Sequence, residues 1–383
     1  MEDLLKNKLK LLSFFSGAGF LDLGFEKSGY EILYVNEYHK PFLEAYKYSR
    51  EKLKIQEPKY GHHQVDICEI LDSKSKGIIK ELIKKEHSNS NFVGFIGGPP
   101  CPDFSVGGKN RGRHGDKGKL SGTYIDLICR TLPDFFVFEN VKGLWKTKKH
   151  REFFEELKYK AQSYGYVTTE RLISSIEYGV PQDRDRIIFI GFKKNFLLEL
   201  GKELTEETVT IKNFPWEHDI AFSKENIAQL EWPDITPFYE NSDLPLLNKN
   251  IPVILTVNHW FEKNDVNNHQ NSEDFFQPKA LKRFHSISEG DSSRKSFKRL
   301  HRWRYSPTAA YGNNEVHLHP YKARRISVAE ALAIQSLPRD FVLPENMTLT
   351  NKFKTIGNGV PYLASKAIAN TIKQYLQGNN VNY

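Results

Sequence analysis

Short, largely apolar runs recur along the first 140 residues: Leu9 to Phe15, Ile32 to Val35, Phe92 to Ile96 and Phe135 to Phe138. None shows the strict polar–apolar alternation of a strand with one wet face, so each predicts a strand buried on both sides. The turn Ser16-Gly17-Ala18-Gly19 follows the first run. Leu21 to Ser28 then predicts a helix, with Gly29 as its stop. Ile187 to Ile190 continues the strand pattern. Buried strands alternating with helices predict an α/β fold, a mostly parallel sheet with helices on both faces.

The texture changes near residue 193. Prolines recur, alternation is irregular, and polar stretches such as NDVNNHQNSED (264–274) predict loops. The helical texture returns past residue 304. Ser327-Val328-Ala329-Glu330 is a capping-box pattern opening a helix that ends near Pro338, and Tyr362 to Tyr375 predicts a last helix after a Gly357-Asn358-Gly359 turn. Two domains are expected: a sheet domain over 1–192 and 305–383, and a smaller irregular one over 193–304. The length of 383 residues accommodates two at roughly 150 residues each.

With 39 % hydrophobic and 13 % aromatic residues the chain can bury a core, which excludes wholesale disorder. No apolar run reaches the roughly 18–20 residues of a membrane helix, and MEDLLKNKLK lacks the apolar stretch of a secretory signal. Three cysteines, Cys68, Cys101 and Cys129, build no disulfide framework and match no zinc spacing, so no metal is expected. These features predict a soluble protein of the cytoplasm, without membrane attachment. The net charge of +8 is concentrated. Lys279 to Arg304 carries nine Lys/Arg, including Arg294, Lys295, Lys298, Arg299 and Arg302, against two acids, with Phe284, Phe297 and Trp303 interleaved. Gly107 to Lys119 adds Lys109, Arg111 and Arg113 within a glycine-rich loop. Two such patches with aromatics point to a polyanion, nucleic acid first.

Candidate chemistry gathers where strands end. The strand–turn–helix at 9–28 offers backbone N–H groups, and Glu37, 20 residues after Gly17, has the spacing of an acid that grips ribose hydroxyls. Asp66-Ile67 offers one polar and one apolar contact for an adenine. Dinucleotides and S-adenosylmethionine share this geometry, so this segment alone leaves the ligand open. Gly97-Gly98-Pro99-Pro100-Cys101 follows another strand, its prolines and glycines fixing one cysteine at the same rim. Glu139-Asn140-Val141 brings a carboxylate there, and in Gln182-Asp183-Arg184-Asp185-Arg186 extended alternation puts Arg184 and Arg186 on one face. A thiolate adding at C6 of cytosine would make C5 nucleophilic toward a methyl group. A protonated Glu139 could donate to N3, and an arginine at O2 could steady the charge.

These segments resemble the DNA (cytosine-5) methyltransferase family of bacterial restriction-modification systems. The matching stretches are Phe15-Ser16-Gly17-Ala18-Gly19 with Leu21-Asp22-Leu23-Gly24-Phe25, Gly98-Pro99-Pro100-Cys101 with Phe104-Ser105, Glu139-Asn140-Val141, and Gly179-Val180-Pro181-Gln182 with Arg184 and Arg186. Arg325 through Glu330 to Gln335, and Gly357-Asn358-Gly359-Val360-Pro361, complete the series in the family's order. The resemblance implies the S-adenosylmethionine-dependent, Rossmann-like methyltransferase fold, with 193–304 as the target-recognition domain. It makes Cys101 the nucleophile, Glu139 the N3 proton donor, and Arg186 with Arg184 the partners of cytosine O2 and of that glutamate. It places Phe15, Gly17, Ala18, Gly19, Phe20, Glu37, Tyr38, Asp66, Ile67, Pro100, Leu120, Asn358 and Gly359 at the cofactor, and Ser105 at a DNA phosphate. It implies that the target base flips out of duplex DNA and that the loop 107–119 closes over it. A separate cognate restriction endonuclease and a monomeric state are further expectations.

Two departures stand out. Phe20 occupies a position where the family usually has a second consecutive glycine, and Pro102 replaces the glutamine that commonly follows the nucleophile. Alternatives are a tRNA cytosine-5 methyltransferase of the same fold, a catalytically silent DNA-binding homologue, and a nicotinamide-dependent oxidoreductase, which would leave Pro99-Pro100-Cys101 unexplained.

Overall fold

The computed structural model describes residues 8–100, 116–243, 245–279, 281–294, 296–309, 311 and 315–378. Cys101, Pro102, Ser105, Lys109, Arg111, Arg113 and Lys295 lie outside the described residues.

In chain order the helices and strands are β1 (Leu9–Phe14), α1 (Phe20–Glu26), β2 (Glu31–Asn36), α2 (Lys40–Lys52), β3 (His62–His63), α3 (Ile67–Ile70) and α4 (Ser73–Ser88). Then come β4 (Phe92–Gly97), α5 (Asp116–Thr131), β5 (Phe135–Val141), α6 (Lys142–Lys146), α7 (Lys148–Ser163), β6 (Tyr166–Ser174), β7 (Asp185–Lys193) and α8 (Lys194–Glu199). The remainder is helical or irregular: α9 (Lys224–Ala228), α10 (Val257–Lys263), α11 (Leu281–His285), α12 (Val328–Ile334), α13 (Leu349–Asn358) and α14 (Tyr362–Gln377).

The strands form one seven-stranded sheet in the order β3-β2-β1-β4-β5-β7-β6. The pairs from β3 to β5 are parallel, whereas β7 runs antiparallel to both β5 and β6. Buried side chains cover both faces. Leu9, Leu11, Phe25 and Ile368 belong to one cluster, and Leu12, Phe14, Phe95, Phe136 and Ile128 to the other. That two-sided burial is why the strands read as apolar without alternation. From β1 the chain winds outward through β2 to β3, then crosses to β4 and winds the opposite way. The order therefore reverses between β1 and β4, and a crevice opens there at the carboxyl ends of the strands.

Several boundaries differ from the sequence reading. The first strand ends at Phe14, because Phe15 takes a left-handed φ of 53° and starts the turn. The following helix starts at Phe20 and ends at Glu26. The capping box at Ser327 and Glu330 forms, but its helix closes at Ile334. Gly357 and Asn358 are the last turn of α13 rather than a free turn, and β6, a nine-residue strand, has no counterpart in the sequence reading. Between 195 and 304 the described residues form short helices and turns and no strand. This stretch does not stand alone: Val257, Trp260 and Phe261 of α10 share a core with α12 and with Phe20 and Leu23 of α1.

Candidate active site

One continuous cleft of about 1640 Å³ occupies the crevice. A single small ligand commonly fills roughly 300–1,000 Å³, so this space suits two. One half is built from the first turn. Gly17 sits at φ 56°, and its N–H donates to Glu37 Oε2 at 2.8 Å, while Glu37 Oε1 accepts from the His39 N–H at 2.7 Å. Burial pushes the Glu37 carboxyl above the ordinary glutamate range, and those two N–H groups pull it partly back. Each oxygen keeps a second lone pair for a hydroxyl. Asp66 accepts from the Cys68 N–H at 2.8 Å and so caps α3, which leaves Ile67 at the cleft wall. Ser16 contributes a buried hydroxyl without a partner on the same wall. Buried acid, open backbone and an orphaned hydroxyl fit a ligand bearing ribose and amino-acid groups.

Phe15, Gly17, Ala18, Phe20, Glu37, Tyr38, Asp66, Ile67, Pro100, Leu120, Asn358 and Gly359 all line the cleft. Gly19 does not. Its carbonyl accepts from Arg50 Nη2 at 2.7 Å and it packs beneath Tyr46, so it shapes the turn from behind. Phe20, the departure from the family pattern, lies edge-on to Phe341 at 5.1 Å and presses on Gly359, where a Cβ would approach its ring to 2.2 Å.

The other half is carried by β4, β5 and β7. Val141 faces Arg186 across the antiparallel ladder, which puts Glu139 and Arg186 diagonally on one face. Arg186 Nε forms an ion pair with Glu139 Oε1 at 2.9 Å, with both side chains about one-tenth exposed. Burial raises the Glu139 carboxyl above its ordinary value, against the pull of the Arg186 and Arg184 guanidiniums. Asn140 Nδ2 donates to the Pro99 carbonyl at 3.4 Å, which ties the strand end to the Gly98-Pro99-Pro100 loop that leads into Cys101. A Cβ at Gly98 would come within 2.7 Å of Glu139 Oε2, so glycine there leaves room for the carboxylate.

Arg184 departs from the expected geometry. It precedes β7, is fully buried, and donates to the carbonyls of Ala309 (3.2 Å) and Gly357 (2.9 Å). Its Nε has no partner, and the side chain lines the cleft. Alternation groups it with Arg186, but the two take different partners because only Arg186 is inside the ladder. Asp185, between them, is bound by Lys142 at 2.5 Å and by Lys224 at 2.7 Å.

The basic run needs a larger correction. Arg299 is fully buried and donates to the carbonyls of Ile287, His319, Lys322 and Phe284. Arg302 is also buried and pairs with Glu289 at 2.9 Å. Neither can meet a phosphate; both satisfy main chain and acid in a segment short of regular hydrogen bonding. Arg294 is exposed and Lys298 half-buried, and both stay available. The sequence reading missed exposed Lys146 and the side chains of Thr147, Ser296, Thr308 and Thr355, all on the cleft. The lysine cluster 146–149, just past Glu139, was the signal that could have found the first of these.

Comparison with known proteins shows the family. The family described as C-5 cytosine-specific DNA methylase matches residues 9–374. The chain is 56% identical over 375 residues to the Type II methyltransferase M.NmeDI of Neisseria meningitidis serogroup C, covering 98% of this chain and 86% of that protein. It is 29% identical to M.FnuDI of Fusobacterium nucleatum, over 96% and 95% of the two chains. Among solved structures, one described as a DNA modification methyltransferase encoded within an E. coli prophage superimposes with a TM-score of 0.63 at 24% identity, covering 97% and 100%. Spodoptera frugiperda DNMT2 does so with 0.55 at 15%, covering 95% and 99%; both likenesses speak to the fold alone. With the family matched over nearly its whole length, the chain belongs to the C-5 cytosine-specific DNA methylases.

Proposed function

We propose that the chain methylates C5 of one cytosine, flipped out of duplex DNA, within a short specific sequence, using S-adenosyl-L-methionine. The observation that carries this reading is the desolvated Glu139–Arg186 pair at one end of a cleft whose other end is the Gly17–Glu37 turn. Glu37, Asp66 and Ile67 would hold the ribose and adenine of the cofactor, with Phe15, Ser16 and Asn358 around the remainder. Bound there, S-adenosylmethionine supplies an electrophilic methyl group and departs as S-adenosylhomocysteine.

The chain's own groups do the rest. The Cys101 thiolate adds to C6, and Glu139, whose carboxyl burial shifts upward, delivers a proton to N3 as negative charge moves onto the ring. Arg186 steadies O2 and fixes the glutamate. C5 then attacks the methyl group; N3 returns its proton to Glu139, and loss of the C5 proton to water with expulsion of the thiolate restores the aromatic ring. The stretch 193–304 serves as the target-recognition domain, and the loop 107–119 covers the flipped base. Ser105, Lys109, Arg111, Arg113, Arg294, Lys295 and Lys298 meet phosphates, joined by Lys146. The enzyme acts as a monomer in the bacterial cytoplasm, with any cognate restriction endonuclease a separate chain.

The test is transfer of tritium from labelled S-adenosylmethionine to mixed-sequence duplex DNA, with bisulfite sequencing of the product. Protected cytosines recurring in one short sequence, and none with Cys101→Ser, are the expected result. Label appearing in tRNA instead of DNA would overturn the substrate, and full turnover by Cys101→Ser would overturn the covalent step.

A further inference from the structure

Two glutamines of the matching stretches, Gln182 and Gln335, have no part in the chemistry above. Both are fully buried and neither lines the cleft. They are 153 residues apart in sequence, yet Gln182 Nε2 donates to Gln335 Oε1 at 3.2 Å. Gln182 Oε1 accepts from the Ala309 N–H at 3.0 Å, and Gln335 Nε2 donates to the Ile356 carbonyl at 2.6 Å. An N–H at one end and a C=O at the other leave a single orientation for each amide, so the chain of bonds has one consistent direction. Arg184 closes it into a ring, donating to the carbonyls of Ala309 and Gly357.

The ring joins three segments that each reach the cleft. Residues 306–309, leaving the 193–304 stretch, are laid against 181–183 by bonds from Ser306 N–H to Pro181 and from Asp183 N–H to Ser306. Residues 356–357 lie in the last turn of α13 and lead directly into Asn358, its final residue, and Gly359 at the cofactor half. Arg184 stands two residues before Arg186, the partner of Glu139. Buried amides tied to backbone at both ends hold position more firmly than apolar packing does, because a shift leaves a desolvated group unpaired.

We infer that Gln182 and Gln335 are positioning residues for methyl transfer: the amide ring holds the cofactor-side end of α13 in register with Arg184 and the Glu139–Arg186 pair. The inference rests on the function proposed above and assigns how its two half-sites are kept aligned. Gln182→Met and Gln335→Met preserve length and volume and remove the bonds. Each is expected to weaken binding of S-adenosylhomocysteine, measured by calorimetry, and to lower kcat, both about tenfold, while DNA affinity without cofactor stays within about twofold. Because one ring is broken once, the double variant should be no worse than the poorer single variant. Effects that multiply in the double variant, or variants that match wild type in both measurements, overturn the inference.

A measurement on the unaltered protein guards against variants that do not fold. Hydrogen exchange of the segment 331–337, which does not touch the cleft, should slow when S-adenosylhomocysteine binds. Unchanged exchange there, with binding confirmed by calorimetry, also overturns the inference. If wild-type protein binds no S-adenosylhomocysteine at all, the proposed function fails instead.

Discussion

At the residue scale the site depends on how little room surrounds Glu139. Gly98 leaves the carboxylate its place, and a methyl group there would meet Oε2 at 2.7 Å. The neighbour is the end of a flexible side chain, so Gly98→Ala should move the carboxylate rather than unfold the protein. We predict a fall in kcat of about tenfold or more, on the order of 1.4 kcal/mol in the barrier, with an unchanged melting temperature. A normal kcat would mean that the position of Glu139 is not critical. The pH dependence has a definite sign. Burial raises the Glu139 carboxyl, so its proton is retained to higher pH than in an ordinary glutamate and is lost as pH rises through that elevated value. A proton donor at N3 must therefore give a descending alkaline limb in single-turnover rate, and Glu139→Gln should remove that limb while slowing the step. A limb of the same position in the variant would assign the titration to another group.

At the element scale the clearest device is the start of α12. Ser327 Oγ accepts from the Glu330 N–H, and the Glu330 carboxylate accepts from the Ser327 N–H at 2.7 Å. The same carboxylate receives both Arg324 nitrogens (2.8 and 2.7 Å) and lies 3.3 Å from His319 Nε2. His319 is held neutral by burial, with its pKa near 4, and its Nδ1 accepts from the Tyr321 and Lys322 N–H groups, so Nε2 carries the proton toward Glu330. These partners outweigh burial and hold the Glu330 carboxyl far below the ordinary range. A depressed folded-state value means the stabilisation is complete above the unfolded glutamate pKa and drains away as pH falls below it. Glu330→Gln is expected to lower unfolding free energy by about 3 kcal/mol at neutral pH, in urea melts, and by progressively less under acid. A loss that does not shrink under acid would refute the ion-pair account. The box was legible from Ser327 and Glu330 alone. The cluster of Arg324 and His319 around that carboxylate was not, since both reach it only by the fold of 317–325.

Across the whole molecule the net charge of +8 divides into charge that faces solvent and charge that builds the fold. Arg294, in a loose 4.0 Å ion pair with Asp291, and Lys146 are exposed and Lys298 is half-buried, whereas Arg299 and Arg302 knit together loops that lack a sheet. Each phosphate contact contributes about 0.9 to the slope of log affinity against log salt, so neutralising Lys146, Arg294 and Lys298 should flatten it by about 2 to 3. Arg299→Ala should leave the slope alone and instead lower the melting temperature, because several buried carbonyls lose their donor. A flattened slope for Arg299→Ala without loss of stability would restore it to the DNA surface.

The sequence by itself determined the α/β class, the strand ends that carry Gly17, Glu37, Pro100 and Glu139, and the family, because apolar runs and fixed spacings are local properties of the chain. Only tertiary structure decided that β7 runs antiparallel, since strand direction depends on where a connection returns and not on composition. It also separated Arg186, paired with Glu139, from Arg184, buried under Ala309 and Gly357. In the same way it withdrew Arg299 and Arg302 from the surface. A charge written in sequence has a sign but no address: whether it meets water, DNA or a buried carbonyl is set by which distant segments fold around it.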